Sequence, residues 1–168
     1  MKVALVGPQG AGKTTKAYDL AAHLKKNGKD VILLAEVARS CPFELNEGAT
    51  RQTQCWVFGK QMTREQSMKG EILVSDRALL DSYIYGLRSD PELFQHADKF
   101  VAAYMDTYDY IFYCPANDEY LVDDGLRSTD KEFRDEIDSM MCAFIMLHDI
   151  PVIEWTSVGK AVDIVLGQ

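Results

Sequence analysis

Histidine, cysteine and proline are scarce in this chain, and the first two shortages each remove a class of function. The three histidines, His23, His96 and His148, stand far apart, with none of the close His/Cys spacing that a zinc site needs. The four cysteines, Cys41, Cys55, Cys114 and Cys142, form no C-x-x-C pair, so a redox dithiol is not expected. They read instead as reduced, mostly packed thiols of a cytosolic protein. No apolar run nears the ~20 residues that cross a bilayer. The N-terminus carries one lysine and then a short apolar run closed by Gly7-Pro8, too short for the core of a secretory leader. A soluble, cytoplasmic chain with no membrane contact is the expectation. Positive charge is also short: 18 Lys and Arg face 26 Asp and Glu, a net charge of −8. That disfavours broad contact with a nucleic-acid backbone and leaves at most a local basic groove.

What the chain does have is ordinary bulk and a regular alternation. Its 168 residues, 47% of them apolar, suit one domain over 1–168 with a real core. Short apolar runs recur as "KVALVG", "VILLAE" (31–36), "EILVSDR" (71–77), "DYIFYC" (109–114) and "IPVIEW" (150–155). Each reads as a strand covered on both faces. Amphipathic segments at about 13–27, 51–69, 79–105, 130–148 and 158–167 separate them. Strands alternating with helices predict an α/β fold with a parallel sheet. Loops are expected at 37–50 and 115–129.

The first loop carries the strongest motif. "GPQGAGKT", Gly7 to Thr14, fits G-x-x-x-x-G-K-[ST] in full, between a strand and a helix. Glycines let backbone N–H groups turn inward around phosphate oxygens, and the helix N-terminus adds its positive dipole end. Lys13 reaches the β- and γ-phosphates and the Thr14 hydroxyl ligates Mg²⁺. Gly7, Gln9, Gly10, Ala11, Gly12, Lys13, Thr14 and Thr15 are therefore the candidate nucleotide-binding residues, with ATP and Mg²⁺ as the implied cofactors.

In an open α/β sheet, ligands gather beyond the carboxyl ends of the strands. Past the second strand come Glu36 and Arg39, and past the third come Asp76 and Arg77. Asp76 stands where a Walker-B acid supports the Mg²⁺ shell, and it is also a candidate helix N-cap. Glu36 is a candidate base for an attacking hydroxyl. Past the fifth strand, "TSVGKAVD" with Thr156 and Gly159 suits a loop against an adenine ring. Along 51–69, Cys55, Phe58 and Met62 share a helical stripe that reads as core, while Arg51, Gln54 and Gln61 are candidates for an acceptor pocket.

The acidic stretch "VDDGLRSTDKEFRDE" (122–136) holds Arg127 and Arg134. Thr129 and Glu132 have capping-box spacing, so a helix is expected from about Asp130. Arg127 then lies in the preceding loop and Arg134 in the helix. A lid over about 115–135 that brings arginines to a phosphoryl group would exclude water and neutralise charge. Asp123, Asp124, Asp130 and Glu132 are candidates to hold those arginines before ATP arrives.

On "GPQGAGKTT", "EVAR", "SDRALLDSYIYG" and "DDGLRSTDKEFR" the chain resembles the NadR-like AAA_28 family of P-loop kinases, which includes a ribosylnicotinamide kinase domain. Its acids and arginine after strands two and three are also similar to deoxynucleoside and thymidylate kinases. The resemblance implies a P-loop NTPase fold with strand order 2-3-1-4-5, helices on both faces and an arginine-bearing lid. It implies Glu36 as base or substrate anchor, Asp76 and Arg77 serving metal and phosphate, and Arg127 and Arg134 as lid arginines. The chain lacks the adenylyltransferase and DNA-binding domains of the bifunctional regulator. The expected activity is ATP-dependent phosphorylation of a nucleoside or nucleotide. A kinase of modified DNA bases and a slow nucleotide-dependent switch are the alternatives, and monomer and homodimer both fit the pattern.

Overall fold

The computed structural model describes residues 1–45, 48–117 and 130–168. Five parallel strands, β1 (Lys2–Val6), β2 (Val31–Leu34), β3 (Ile72–Asp76), β4 (Tyr110–Tyr113) and β5 (Ile153–Glu154), form one sheet in the order β2-β3-β1-β4-β5. Among the described residues seven α-helices accompany them: α1 (Lys13–Lys26), α2 (Arg51–Ser67), α3 (Leu79–Ser89), α4 (Pro91–Phe94), α5 (Asp98–Met105), α6 (Lys131–Leu147) and α7 (Val158–Leu166). Both the parallel sheet and its order agree with expectation.

Alternation along the central strand builds two cores. Val3 and Leu5 of β1 pack with Ala17, Leu20 and Leu24 of α1 and Val162 of α7. Ala4 and Val6 point the other way, toward Leu80, Tyr83, Val101 and Ile137 of α3, α5 and α6. With side chains alternating between faces, burial on both sides requires the nearly unbroken apolar runs seen in the sequence. Register then sets the site. Leu5 of β1 pairs with Asp76 of β3, Leu34 of β2 with Ser75, and Val6 with Tyr113 of β4. The carboxyl ends of β1, β2 and β3 therefore finish side by side.

Three local expectations need correction. The segment 79–105 is not one helix. Pro91 lacks an N–H and disfavours helical geometry in the residue before it, and Asp90 is extended with φ −145°. Asp90 instead caps α4, accepting from Leu93 N at 3.1 Å. Phe94 then folds back on α3 at Gly86, where any Cβ would collide with the Phe94 ring. The cap of α6 is Asp130, whose Oδ1 accepts from Glu132 N at 2.8 Å and Phe133 N at 3.3 Å; Thr129 lies outside the described residues.

The buried stripe of α2 is also rotated. Phe58 and Met62 are only partly buried and Cys55 is exposed, whereas Gln54, Val57, Gln61 and Glu65 face inward. A polar face can be buried because it meets partners on distant elements. Glu65 accepts from Lys2 Nζ at 2.9 Å, Tyr108 Oη at 2.7 Å, Tyr104 Oη at 3.1 Å and Gln61 Nε2 at 2.7 Å. The Tyr108 oxygen in turn accepts from Leu79 N at 3.0 Å, fixing the first turn of α3. Four donors, from β1, α5, the turn after α5 and α2 itself, converge on one carboxylate. Glu65→Leu should therefore lower the unfolding free energy by about 3–5 kcal/mol, because removing one partner strands the others in the interior. Urea denaturation measures it, and a loss below about 1 kcal/mol would contradict the hub.

Candidate active site

Backbone geometry at the end of β1 follows from three glycines. Gly7, Gly10 and Gly12 have φ of 144°, 71° and 70°, all in the region that favours glycine. A Cβ on Gly7 would also collide with the Cys114 carbonyl of the neighbouring strand end. Gly12 caps α1 with no side-chain hydrogen bond, so the first N–H groups of that helix are left to an anion. Lys13 Nζ is drawn under the loop, donating to Gly7 O and Pro8 O at 2.6 Å each. Burial, with the nearby Arg77 charge second, lowers the Lys13 pKa from 10.5 to about 8.

Asp76 ends β3 buried beside this loop. The Thr14 hydroxyl lies beside its carboxylate and favours the ionised form, while Oδ2 is buried with no hydrogen-bond partner among the described residues. Burial first, then the Glu36 charge, pushes its pKa up. A hydroxyl beside a desolvated, partly unsatisfied carboxylate fits Mg²⁺. That ion typically takes one or two protein ligands and completes its shell with phosphate and water.

Arg77 follows Asp76 in an unusual conformation, φ 90°. Its N–H donates to Leu5 O at 3.1 Å, and its carbonyl accepts from Ser75 Oγ at 2.6 Å and Gln61 Nε2 at 3.3 Å. Strain of this kind persists only where surrounding bonds over-determine it, and it clusters at functional sites. It turns the guanidinium back across the sheet. Arg77 Nε meets Glu36 Oε1 at 2.7 Å, and Nη1 lies 3.6 Å from Asp81 Oδ1. The other Glu36 oxygen takes Arg39 Nε at 3.1 Å.

Two cavities meet here. The smaller, about 190 Å³, lies over the glycine loop between Gly10, Lys13, Thr14 and Asp76. The larger, about 630 Å³ with its open mouth, lies among Arg39, Gln54, Val57, Asp81, Ser82 and Tyr85. Gln9, Glu36 and Arg77 line both cavities, so these three side chains form the shared wall.

The expected residues thus divide. Gly10, Ala11, Gly12, Lys13, Thr14, Glu36, Asp76 and Arg77 surround the loop cavity, together with Gln9. Thr15 is exposed on α1, and Thr156 and Gly159 are exposed past β5, lining neither cavity. Arg134 is buried in α6 with Nε on Asp135 Oδ1 at 2.9 Å and borders neither cavity. Arg127, Asp123 and Asp124 lie outside the described residues. Among the pocket candidates on α2, Gln54 lines the larger cavity, Gln61 sits beneath Arg77, and the exposed Arg51 pairs with Asp90.

Asp81 and Tyr85 were not legible as site residues. They follow Arg77 at four and eight residues, one face of α3, and that spacing was the available signal.

The AAA_28 family, described as an AAA domain, matches residues 2–160. No curated protein matches the chain by sequence. Among solved structures, it is similar to a deoxyadenosine kinase from M. mycoides with bound dATP, at 19% identity and TM-score 0.66, covering 99% of this chain and 97% of that one. It is also similar to a thymidylate kinase from Ehrlichia chaffeensis, at 18% identity and TM-score 0.68, covering 99% and 98%. These likenesses establish the fold.

The Lys13 environment makes a test. Between about pH 8 and 10.5 the unfolded chain keeps a proton that the folded chain has released, so this group makes stability rise with pH across that window. An anion seated on Nζ restores the ammonium. Binding of inorganic sulfate, which carries no proton at either pH, should then take up most of a proton at pH 9 and little at pH 7. Calorimetry in buffers of different ionisation enthalpy reads this directly, and equal uptake at both pH values would contradict it.

Proposed function

This chain belongs to the AAA_28 family of AAA domains, and from that premise we propose that it is a Mg²⁺-dependent kinase. It would carry the γ-phosphoryl group of ATP to a nucleoside or nucleotide. The observation that carries this reading is the wall of Gln9, Glu36 and Arg77 between a phosphate-sized cavity and a larger one. A nucleotide-hydrolysing switch needs the first cavity alone. A transferase needs both, open to each other.

In this reading Lys13 exchanges the Gly7 and Pro8 carbonyls for phosphate oxygens, and the start of α1 supplies backbone N–H groups. Thr14 and Asp76 hold Mg²⁺, which when bound neutralises phosphate charge. Where the acceptor is a nucleoside, its hydroxyl lies against Glu36, which takes its proton as the new O–P bond forms; a nucleotide attacks through an ionised phosphate oxygen and leaves Glu36 as an anchor. The bond to the ADP oxygen breaks, leaving its electron pair on ADP. Arg77, fixed by Glu36, faces the charge that spreads over the phosphoryl oxygens, where pre-aimed donors count most. Arg127 is proposed to approach from the lid.

A deoxyadenosine kinase and a thymidylate kinase share the fold, which supports a nucleoside or nucleotide as acceptor. The net charge of −8 weighs against a DNA strand.

ADP release from MgATP tests the proposal. The acceptor panel would hold nucleosides, nicotinamide riboside, deoxynucleoside monophosphates, and plain and base-modified DNA. One small acceptor should stimulate release strongly; a flat response with slow basal hydrolysis would contradict the reading. With that acceptor, Lys13→Ala should abolish turnover, and, where it is a nucleoside, Glu36→Gln should lower kcat by about 10²–10⁴-fold, the range for a lost general base. Arg127→Ala should lower kcat with little change in ATP affinity; an unchanged kcat would remove the lid arginine from the account.

A further inference from the structure

One polar atom in the shared wall has no structural use. Gln9 is 4% exposed, and its Nε2 is buried without a hydrogen-bond partner among the described residues. Leaving such a donor unmade costs its full desolvation, so the orientation of the amide matters. Three side chains dictate it. Arg77 has donors only, is held by Glu36 at 2.7 Å, and lays its guanidinium over the Tyr85 ring, 5.3 Å from the centroid. The Tyr85 hydroxyl, placed by that contact, donates to Gln9 Oε1 at 2.6 Å. With Oε1 committed, Nε2 is left as a fixed donor with no partner among the described residues. Tyr85 is also braced by Phe133 of α6, the two rings 6.0 Å apart.

We propose that Gln9 is a catalytic residue that donates from Nε2 to a phosphoryl oxygen as the group passes between the two cavities, with Tyr85 as the residue that positions it. The inference rests on the kinase reading above. It requires a donor fixed before the substrate arrives, and the chain from Glu36 through Arg77 and Tyr85 supplies one. Gln9 lines both the cavity over the glycine loop and the larger one beside it, so it stands where a phosphoryl group would pass. As Gln9 is neutral and loses no proton, the bond changes and proton balance of the transfer are unaltered.

The test uses binding rather than turnover. ADP with Mg²⁺ and tetrafluoroaluminate presents a planar anion in place of the phosphoryl group in transit, and ADP with Mg²⁺ alone does not. Gln9→Leu should weaken the aluminate complex at least about tenfold while leaving the ADP dissociation constant within about twofold. Loss of one such preorganised donor typically costs about 10²–10³ in kcat. The isosteric Gln9→Glu, which cannot donate, should lose the aluminate complex at least as severely. Tyr85→Phe frees the amide to turn and should give a smaller loss. The double variant Gln9→Leu/Tyr85→Phe should be no worse than Gln9→Leu, since both act through one hydrogen bond. Equal weakening of ADP and its aluminate complex, additive losses in the double variant, or no loss in Gln9→Leu would each overturn the proposal. If the unmodified chain binds no ADP, the kinase reading fails and takes the proposal with it. If ADP binds and only the Gln9 effect is missing, the kinase reading stands.

Discussion

The buried pair of Glu36 and Arg77, 2.7 Å apart, is the contact on which the site depends. Neither residue could be left alone there. Arg77 carries a charge that a dry interior tolerates only when paired, and breaking such a pair strands the partner. The pair also joins the ends of β2 and β3, which lets two cavities share a wall. With Arg77 turned elsewhere, Tyr85 would lose the guanidinium packed on its ring, the Gln9 amide the support of its orientation and Glu36 an arginine partner. Lys13 and Asp76 feel the same charges: Arg77 contributes to the lowered Lys13 pKa, and Glu36 to the raised Asp76 pKa.

That pair is held by a framework of unusual polarity. The strained backbone of Arg77 is tied down by Ser75 and Gln61, and Gln61 is tied to Glu65. Glu65 then reaches Lys2, at the opposite end of β1 from the glycine loop. The inward face of α2 is therefore a relay of hydrogen bonds running the depth of the molecule. A well-satisfied polar network rigidifies its surroundings, which suits a site whose residues must be aimed before a substrate arrives. An apolar helix face could pack as tightly, but it would offer nothing to fix the Arg77 carbonyl.

Much of this was readable in the sequence, and the limits have physical causes. The glycine loop was legible because phosphate binding by backbone N–H groups is local chemistry, encoded in eight consecutive residues. Glu36, Asp76 and Arg77 were legible because a parallel sheet gathers its strand ends on one edge. Asp81 and Tyr85 sit in a helix whose remaining residues are mostly core, so their role depends on Arg77 turning back over them. The inward face of α2 was misjudged by one position because its partners lie up to 63 residues away; apolar periodicity does not register a carboxylate buried by tyrosines and a lysine. The break at Asp90-Pro91 had a clear local signal, overridden by the apolar pattern on both sides of it.

The central claim is that a nucleoside triphosphate and its acceptor occupy adjoining cavities across one wall. Dinucleoside polyphosphates, two nucleosides joined by four or five phosphates, test it most directly, because one molecule must then span both cavities. Calorimetric titration should show one such molecule per chain, bound at least about tenfold more tightly than ATP, as linked binding predicts. The preferred phosphate number would distinguish a nucleoside acceptor, at four, from a nucleotide, at five. Affinity no greater than that of ATP at either length and with every second nucleoside tried would contradict the account.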